Sequence, residues 1–411
     1  MFIKAKVWKL LSLILITIFA LSAVSTVHAV GVIGSITVGL NPIMLAYDSG
    51  KGEVFVANLF SNTVSVISDS SNAVVATVSV GDNPLQPAYD SGKGEVFVPN
   101  YDSNTVSVIS DSSNAVVATV TVEDNPGEAV YDSGKREVFV TSQNYIDVIS
   151  DSSNNVNATI PVGGFMAYDP GKSEIFVTNS ADNTVSVISD SSNTVVATVT
   201  VGTDPMDLAY SGNGEIFVSN YDSNTVSILS DSSNAVVGTV TVGGEPGAMA
   251  YDSEKGEIFV ANYDSNTVSV ISDSSNAVVA TVTVAAGPFL VAYDSGDGDV
   301  FVTNSVSGSV SVISDSTNAV VATVPVGINP TGVVYDSGTG EVFVANEDSN
   351  TVSVISDAGT SVSPSPTTSV SPSPTVPEFS SVALVSVAAA MAVVTLCSVA
   401  LTGKKSKMLR K

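Results

Sequence analysis

Hydrophobic and polar positions alternate in blocks along most of this chain, and one stretch displays the scheme. Ala248 to Tyr251 is a short apolar run, followed by the polar turn Asp252-Ser253-Glu254-Lys255-Gly256. Glu257 to Asn262 (E-I-F-V-A-N) is β-branched and aromatic, and Tyr263-Asp264-Ser265-Asn266 turns again. Thr267 to Ser272 (T-V-S-V-I-S) alternates with period two. After Asp273-Ser274-Ser275-Asn276, Ala277 to Val284 (A-V-V-A-T-V-T-V) closes the unit. Each apolar block has strand length and strand composition, and each break consists of turn formers. No apolar period of 3.6 residues runs long enough for a helix. The pattern predicts a four-stranded antiparallel meander.

The unit recurs eight times. Its anchor tyrosines are Tyr47, Tyr89, Tyr131, Tyr168, Tyr210, Tyr251, Tyr293 and Tyr335, with spacings of 42, 42, 37, 42, 41, 42 and 42. Repeats of this period bury their apolar surface against one another. Several blocks are apolar at nearly every residue, which requires both sheet faces to be covered, and radially stacked blades supply that cover. The last unit ends at its third strand. Gly31 to Gly39 (G-V-I-G-S-I-T-V-G) matches the fourth-strand sequence Ala235 to Gly243 (A-V-V-G-T-V-T-V-G) position by position. The expectation is an all-β, eight-bladed β-propeller over residues 30–357, its ring closed by the N-terminal strand, with a C-terminal transmembrane helix added.

Phe176-Val177-Thr178-Asn179 and Phe301-Val302-Thr303-Asn304, with F-V-A-N, F-V-S-N and F-V-P-N in other units, resemble the YVTN-type β-propeller repeat. Phe stands where that repeat has Tyr, and the third unit departs further with Phe139-Val140-Thr141-Ser142. The resemblance spans residues 31–357 and implies an archaeal-like or bacterial cell-surface or surface-layer protein. Such proteins are often seven-bladed, so a count of eight departs from the commonest form.

The flanks give location. Residues 1–29 read as a signal peptide: Lys4, Lys6 and Lys9 precede the apolar run Leu10 to Ala20, and Val27-His28-Ala29 offers small residues for cleavage. Residues 358–379 form a Ser/Thr/Pro-rich stalk, which at polyproline rise spans on the order of 55 Å. Residues 380–402 carry no charge and are long enough, at about 1.5 Å per residue, to cross a bilayer. The tail, 403–411, holds Lys404, Lys405, Lys407, Arg410 and Lys411, which places it in the cytoplasm. Pro377-Glu378-Phe379, the apolar span and the basic tail together resemble the PEF-type sorting signal of archaeal surface proteins. That resemblance implies processing by an archaeosortase-like enzyme, with a lipid replacing the helix. In either case the propeller is extracellular and held at the membrane.

Charge and composition narrow the chemistry. All forty Asp and Glu lie between residues 30 and 379, against six basic residues there: Lys51, Lys93, Lys135, Arg136, Lys172 and Lys255. Such a field repels nucleic acid and keeps a surface protein soluble. The single His (His28), Cys (Cys397) and Trp (Trp8) all fall outside the propeller. Disulfides, His/Cys zinc or copper sites, haem held by His, and Ser-His-Asp or Cys-His catalysis are thereby excluded from it. Glu53, Glu95, Glu137, Glu174, Glu215, Glu257 and Glu341, with Asp299, share one repeat position, and a group copied into every blade reads as structural. The expectation is a protein that is not an enzyme and has no cofactor.

Two readings of the acidic turns stay open. Asp-Ser-Ser-Asn caps backbone N–H groups in tight turns. The other reading is Ca²⁺ binding, with Asp102, Asp222, Asp264 and Asp348, between the second and third strands, as weak metal candidates. Departures from the repeat point to a partner-binding face: Leu59 and Phe60; Gln143, Asn144 and Tyr145; Phe165 after Gly163-Gly164; and Phe289 and Leu290 after Pro288. Asn157-Ala158-Thr159 is a sequon and makes Asn157 a glycosylation candidate. The leading expectation is a non-catalytic surface-layer or adhesion platform that binds other envelope or surface proteins or glycans. The alternative is a divalent-cation-dependent binding or sensing module built on the acidic turns.

Overall fold

A computed structural model describes residues 30–356. The expected signal peptide, Asp357, the expected stalk and transmembrane helix and the basic tail lie outside them. Thirty-two strands form eight separate four-stranded sheets. Seven blades are consecutive meanders, the first being β2 (Pro42–Asp48), β3 (Glu53–Asn58), β4 (Thr63–Ser68) and β5 (Ala73–Ser79). The eighth takes β30 (Pro330–Asp336), β31 (Glu341–Asn346) and β32 (Thr351–Ser356), and its outermost strand is β1 (Gly31–Thr37). Gly31 pairs with Ser356 and Thr37 with Thr351, so the expected ring closure is observed.

The unbroken apolar blocks are explained by their burial. The second and third strands of each blade are buried at four or more successive positions, because a neighbouring blade covers each sheet face. The phenylalanines Phe55, Phe97, Phe139, Phe176, Phe217, Phe259, Phe301 and Phe343 are all fully buried. Phe97 of blade 2 packs with Val138, Val140 and Ile149 of blade 3, so each such cluster stitches two blades together. Removing one of these rings, as in Phe217→Ala, is expected to cost about 3–5 kcal/mol.

The Asn that ends the second strand has a physical role. Asn58 donates through Nδ2 to Ser65 Oγ at 3.0 Å, and Asn100 does the same to Ser107, which locks the next turn. The Asn that ends each Asp-Ser-Ser-Asn turn adopts the left-handed conformation, for example Asn72 with φ 49° and Asn114 with φ 49°. Asparagine tolerates that region because its amide hydrogen-bonds locally.

Chain direction defines two faces of the ring. Turns between first and second strands and between third and fourth strands lie on one face, here the lower. Turns between second and third strands, and the connections from blade to blade, lie on the upper face. The innermost strands line the axial channel; Thr331 on β30 donates to Ile43 O on β2 at 3.0 Å across one such junction. The outermost strands are edges, and each carries a bulge that puts an extra residue on the rim, Val75 in blade 1 and Asn157 in blade 3. Bulges of this kind discourage edge-to-edge pairing.

Candidate functional site: upper face and axial channel

On the lower face the repeated carboxylates are tied into turns and blade interfaces. Asp48 Oδ1 accepts from the N–H groups of Gly50 (2.8 Å) and Lys51 (3.1 Å), and Asp90, Asp132, Asp169 and Asp252 repeat the arrangement. These aspartates, which follow the anchor tyrosines, cap the turns between first and second strands. The turn between third and fourth strands works across interfaces instead. Its Asn donates to the repeated Glu of the preceding blade: Asn114 to Glu53 at 3.3 Å and Asn276 to Glu215 at 2.9 Å. The lysine of one blade reaches the next, as Lys93 does to Asp151 O at 2.6 Å, while pairing with its own Glu95 at 3.0 Å.

The anchor tyrosines complete these interfaces. Tyr89 faces Asp48 of the preceding blade and Tyr131 faces Asp90; burial first, and the facing carboxylate second, push both phenols up, Tyr131 to about 12. Asp48 Oδ2 and Asp90 Oδ2 are buried there and accept no hydrogen bond. Tyr251 is the exception. Blade 5 carries Ser211 where the other blades have Asp, and Tyr251 donates instead to Asp273 of its own blade at 3.1 Å.

The upper face is different. All six cations between residues 30 and 379 sit in lower-face turns, so the upper face among the described residues carries acidic groups and no lysine or arginine. Asp102, Asp222, Asp264 and Asp348 are exposed there, one each in blades 2, 5, 6 and 8. The ring holds them apart, and among the described residues no group of three or more metal-ligating side chains comes together.

The sequence-derived partner-binding residues divide. Phe60 is 59% exposed, but Leu59 is 8% exposed and packs with Ile43, Ala57 and Leu85, so its expected role as an exposed anchor is corrected to a core contact. Tyr145 and Phe165 are exposed, Asn144 is exposed and Gln143 half-buried. Phe289 and Leu290 belong to strand β26 (Pro288–Asp294) rather than to a loop, and are half-buried at the upper end of the channel wall. The short connection before Phe165 is made possible by Gly163 and Gly164, since a Cβ on either would run into the backbone oxygen of Ser142 or Thr178. Asn157 is exposed on the rim, with its amide 3.4 Å from Glu137 Oε1.

The channel holds a column of which sequence reasoning singled out only Phe165 and Leu290 and missed the rest, Glu128 and Asp207 included. Three positions before each anchor tyrosine stand Met44, Gln86, Glu128, Phe165, Asp207, Ala248, Leu290 and Gly332, a column with no two residues alike. Glu128 accepts from Gln86 Nε2 on blade 2 at 3.2 Å and from Met166 N on blade 4 at 3.1 Å, and so bridges three blades. Asp207 of blade 5 accepts from Met249 N of blade 6 at 2.8 Å. Both carboxyls touch lumen solvent, yet protein surrounds them, and lumen water walled in this way screens charge less than bulk water. Burial, followed by the charge of Asp207, raises Glu128 to about 8; burial raises Asp207 to about 6. Aligning the units on their tyrosines exposes this column directly, whereas attention to turns passes over it.

Fold and faces together define an eight-bladed β-propeller with a plain lower face and a varied upper face and lumen. No family model matches the sequence, and no curated protein does. Solved structures share the fold. One is "Dihydro-heme d1 dehydrogenase NirN in complex with DHE", with a TM-score of 0.66, 13% identity, and coverage of 79% of this chain and 75% of that one. Another is the hydrazine synthase of Kuenenia stuttgartiensis, with a TM-score of 0.55, 16% identity, and coverage of 78% of this chain and 96% of that one. At these identities the likeness is one of fold.

Proposed function

We propose that this chain is a non-catalytic cell-surface propeller, a surface-layer or adhesion platform displayed on the stalk at 358–379. The segment at 380–402, or a lipid that replaces it, holds it to the membrane. The observation that carries the reading is the division of labour between the two faces. Repeated carboxylates are engaged in turns and blade interfaces below, while the departures that put large apolar side chains into solvent gather on the upper face, and the column of unlike residues lines the lumen. The route of the chain supports the same reading. Strand β32 runs from the upper to the lower face and ends at Ser356, so the stalk sequence follows from the lower face and the varied face is directed away from the attachment.

Protease shaving of intact cells tests the display. Propeller fragments released from unbroken cells are the expected result. Recovery of the intact chain from the cytoplasmic fraction, with nothing released by shaving, sinks the reading.

A further inference from the structure

Four large apolar side chains stand out on the upper face. Leu40 is 54% exposed, Phe60 59%, Val306 64% and Ile328 66%. They belong to the blade-to-blade connections and second-to-third-strand turns of blades 7, 8 and 1, which are consecutive around the ring. At the Leu40 and Ile328 position, blades 2 and 3 carry Asp82 and Asp124. At the Phe60 and Val306 position, blades 2, 5 and 6 carry Asp102, Asp222 and Asp264. Blades 2, 3, 5 and 6 thus place aspartate at one or both of these positions, where this sector places hydrocarbon at all but Asp348.

We propose that this sector is a docking site for a polypeptide that carries apolar side chains flanked by lysine or arginine. The proposal rests on the reading of the propeller as an interaction platform, and it names the partner's chemistry. Four exposed large apolar side chains on three consecutive blades mark a binding surface. Exposed Asp102 borders the sector on one side and Asp264 on the other, and Asp348 lies within it, its N–H bonded to Ile328 O at 3.3 Å. With no cation on this face, the complementary partner is basic.

The presenting loops are held before any partner arrives. Leu40 N–H donates to Ser61 Oγ at 2.9 Å and Phe60 N–H to Leu40 O at 3.2 Å, so these two side chains are offered as a pair. Buried Asn41 ties blade 1 to blade 8 through Asn350 Oδ1 (2.8 Å) and Glu347 Oε1 (2.9 Å). Loops fixed in this way lose little freedom on binding. A second copy is a poor occupant. Two upper faces would bring acidic surfaces together, and the lower-face lysines are already engaged, Lys255 with Asp315 at 3.3 Å and Lys172 with Asp231 O at 3.3 Å.

The test compares the full-length chain with a quadruple variant, Leu40→Asp, Phe60→Asp, Val306→Asp and Ile328→Asp. Every substitution copies a residue that other blades already carry at that position, and a thermal melt monitored by circular dichroism confirms the fold. The probe is a synthetic Leu/Lys amphipathic helix followed by fluorescence anisotropy. Wild type is expected to bind it at least about tenfold more tightly than the variant. Attraction by charge alone predicts the opposite order, because the variant is more acidic by four carboxylates, so equal or tighter binding by the variant overturns the proposal. Equal binding of a Gln/Lys helix, or of a Leu/Glu helix, also overturns it. So does concentration-dependent dimerisation in size-exclusion chromatography that the quadruple variant abolishes, which assigns the sector to self-association. Shaving decides surface display separately, so surface exposure without probe binding overturns the docking site alone.

Discussion

Glu128 is the residue whose setting has the clearest thermodynamic consequence. It is held among blades 2, 3 and 4, and its carboxyl is raised to about 8, by burial first and by the charge of Asp207 second. The folded protein keeps a proton that the unfolded chain releases at ordinary carboxyl pH. Stability from this group is therefore complete below about pH 4 and is lost as pH rises through 8. The loss is at most about 5 kcal/mol at 1.36 kcal/mol per unit, and screening by lumen water makes it smaller. Glu128→Gln keeps the shape and removes the titration. Thermal midpoints of the variant are expected to stay flatter than wild type between pH 5 and 9; parallel curves refute this assignment. Asp207, raised to about 6, adds a smaller loss of the same sign at lower pH.

Among the elements, the lower turn of blade 8 is one of three, with those of blades 5 and 7, that lack the repeated lysine. Five blades place a lysine three residues after the turn-capping Asp, whereas blade 8 has Thr339, which donates to Asp336 Oδ2 at 2.6 Å. Asp336, Asp69 of blade 1 and Glu341 thus meet without a cation; burial first, and mutual repulsion after it, raise Asp69 and Glu341. Thr339→Lys is expected to stabilise the protein by about 0.5–1 kcal/mol at low salt, with the gain fading as salt is added. A salt series of thermal melts checks it, and an unchanged midpoint at low salt contradicts it. At this scale the sequence was legible wherever units repeat: the strands fell where the pattern put them, with β22 (Pro246–Asp252) starting two residues before the expected apolar run. Legibility failed where direction mattered. Leu59 and Phe60 are adjacent in a turn, and only packing decides that one enters the core. Leu40 faces outward because Asn41 beside it is buried and bonded to blade 8, a contact 306 residues away in sequence. Most of the channel column, Glu128 and Asp207 included, escaped notice because it varies in residue type and carries no turn signal, although its spacing from the anchor tyrosines is constant.

For the whole molecule, closure of the ring by β1 is the controlling feature. A chain lacking residues 31–37 leaves β32 as an exposed, apolar edge and uncovers the interface that buries Ile36, Val352 and Val354. A cooperative loss of several kcal/mol is expected, with association through the open edge. Thermal melts and size-exclusion chromatography measure the two effects, and a monomer with wild-type midpoint disproves the role of the strand. The same pairing sets an order of events. Gly31, near the start of the chain, has its partner at Ser356, so the first strand made waits for the last. Bringing such distant residues together is entropically slow. Seven blades can assemble while the chain is still emerging, but the eighth stays incomplete until the final strand arrives. A prematurely terminated chain therefore cannot seal itself, and fold completion doubles as a check that translation reached the end of the repeat array.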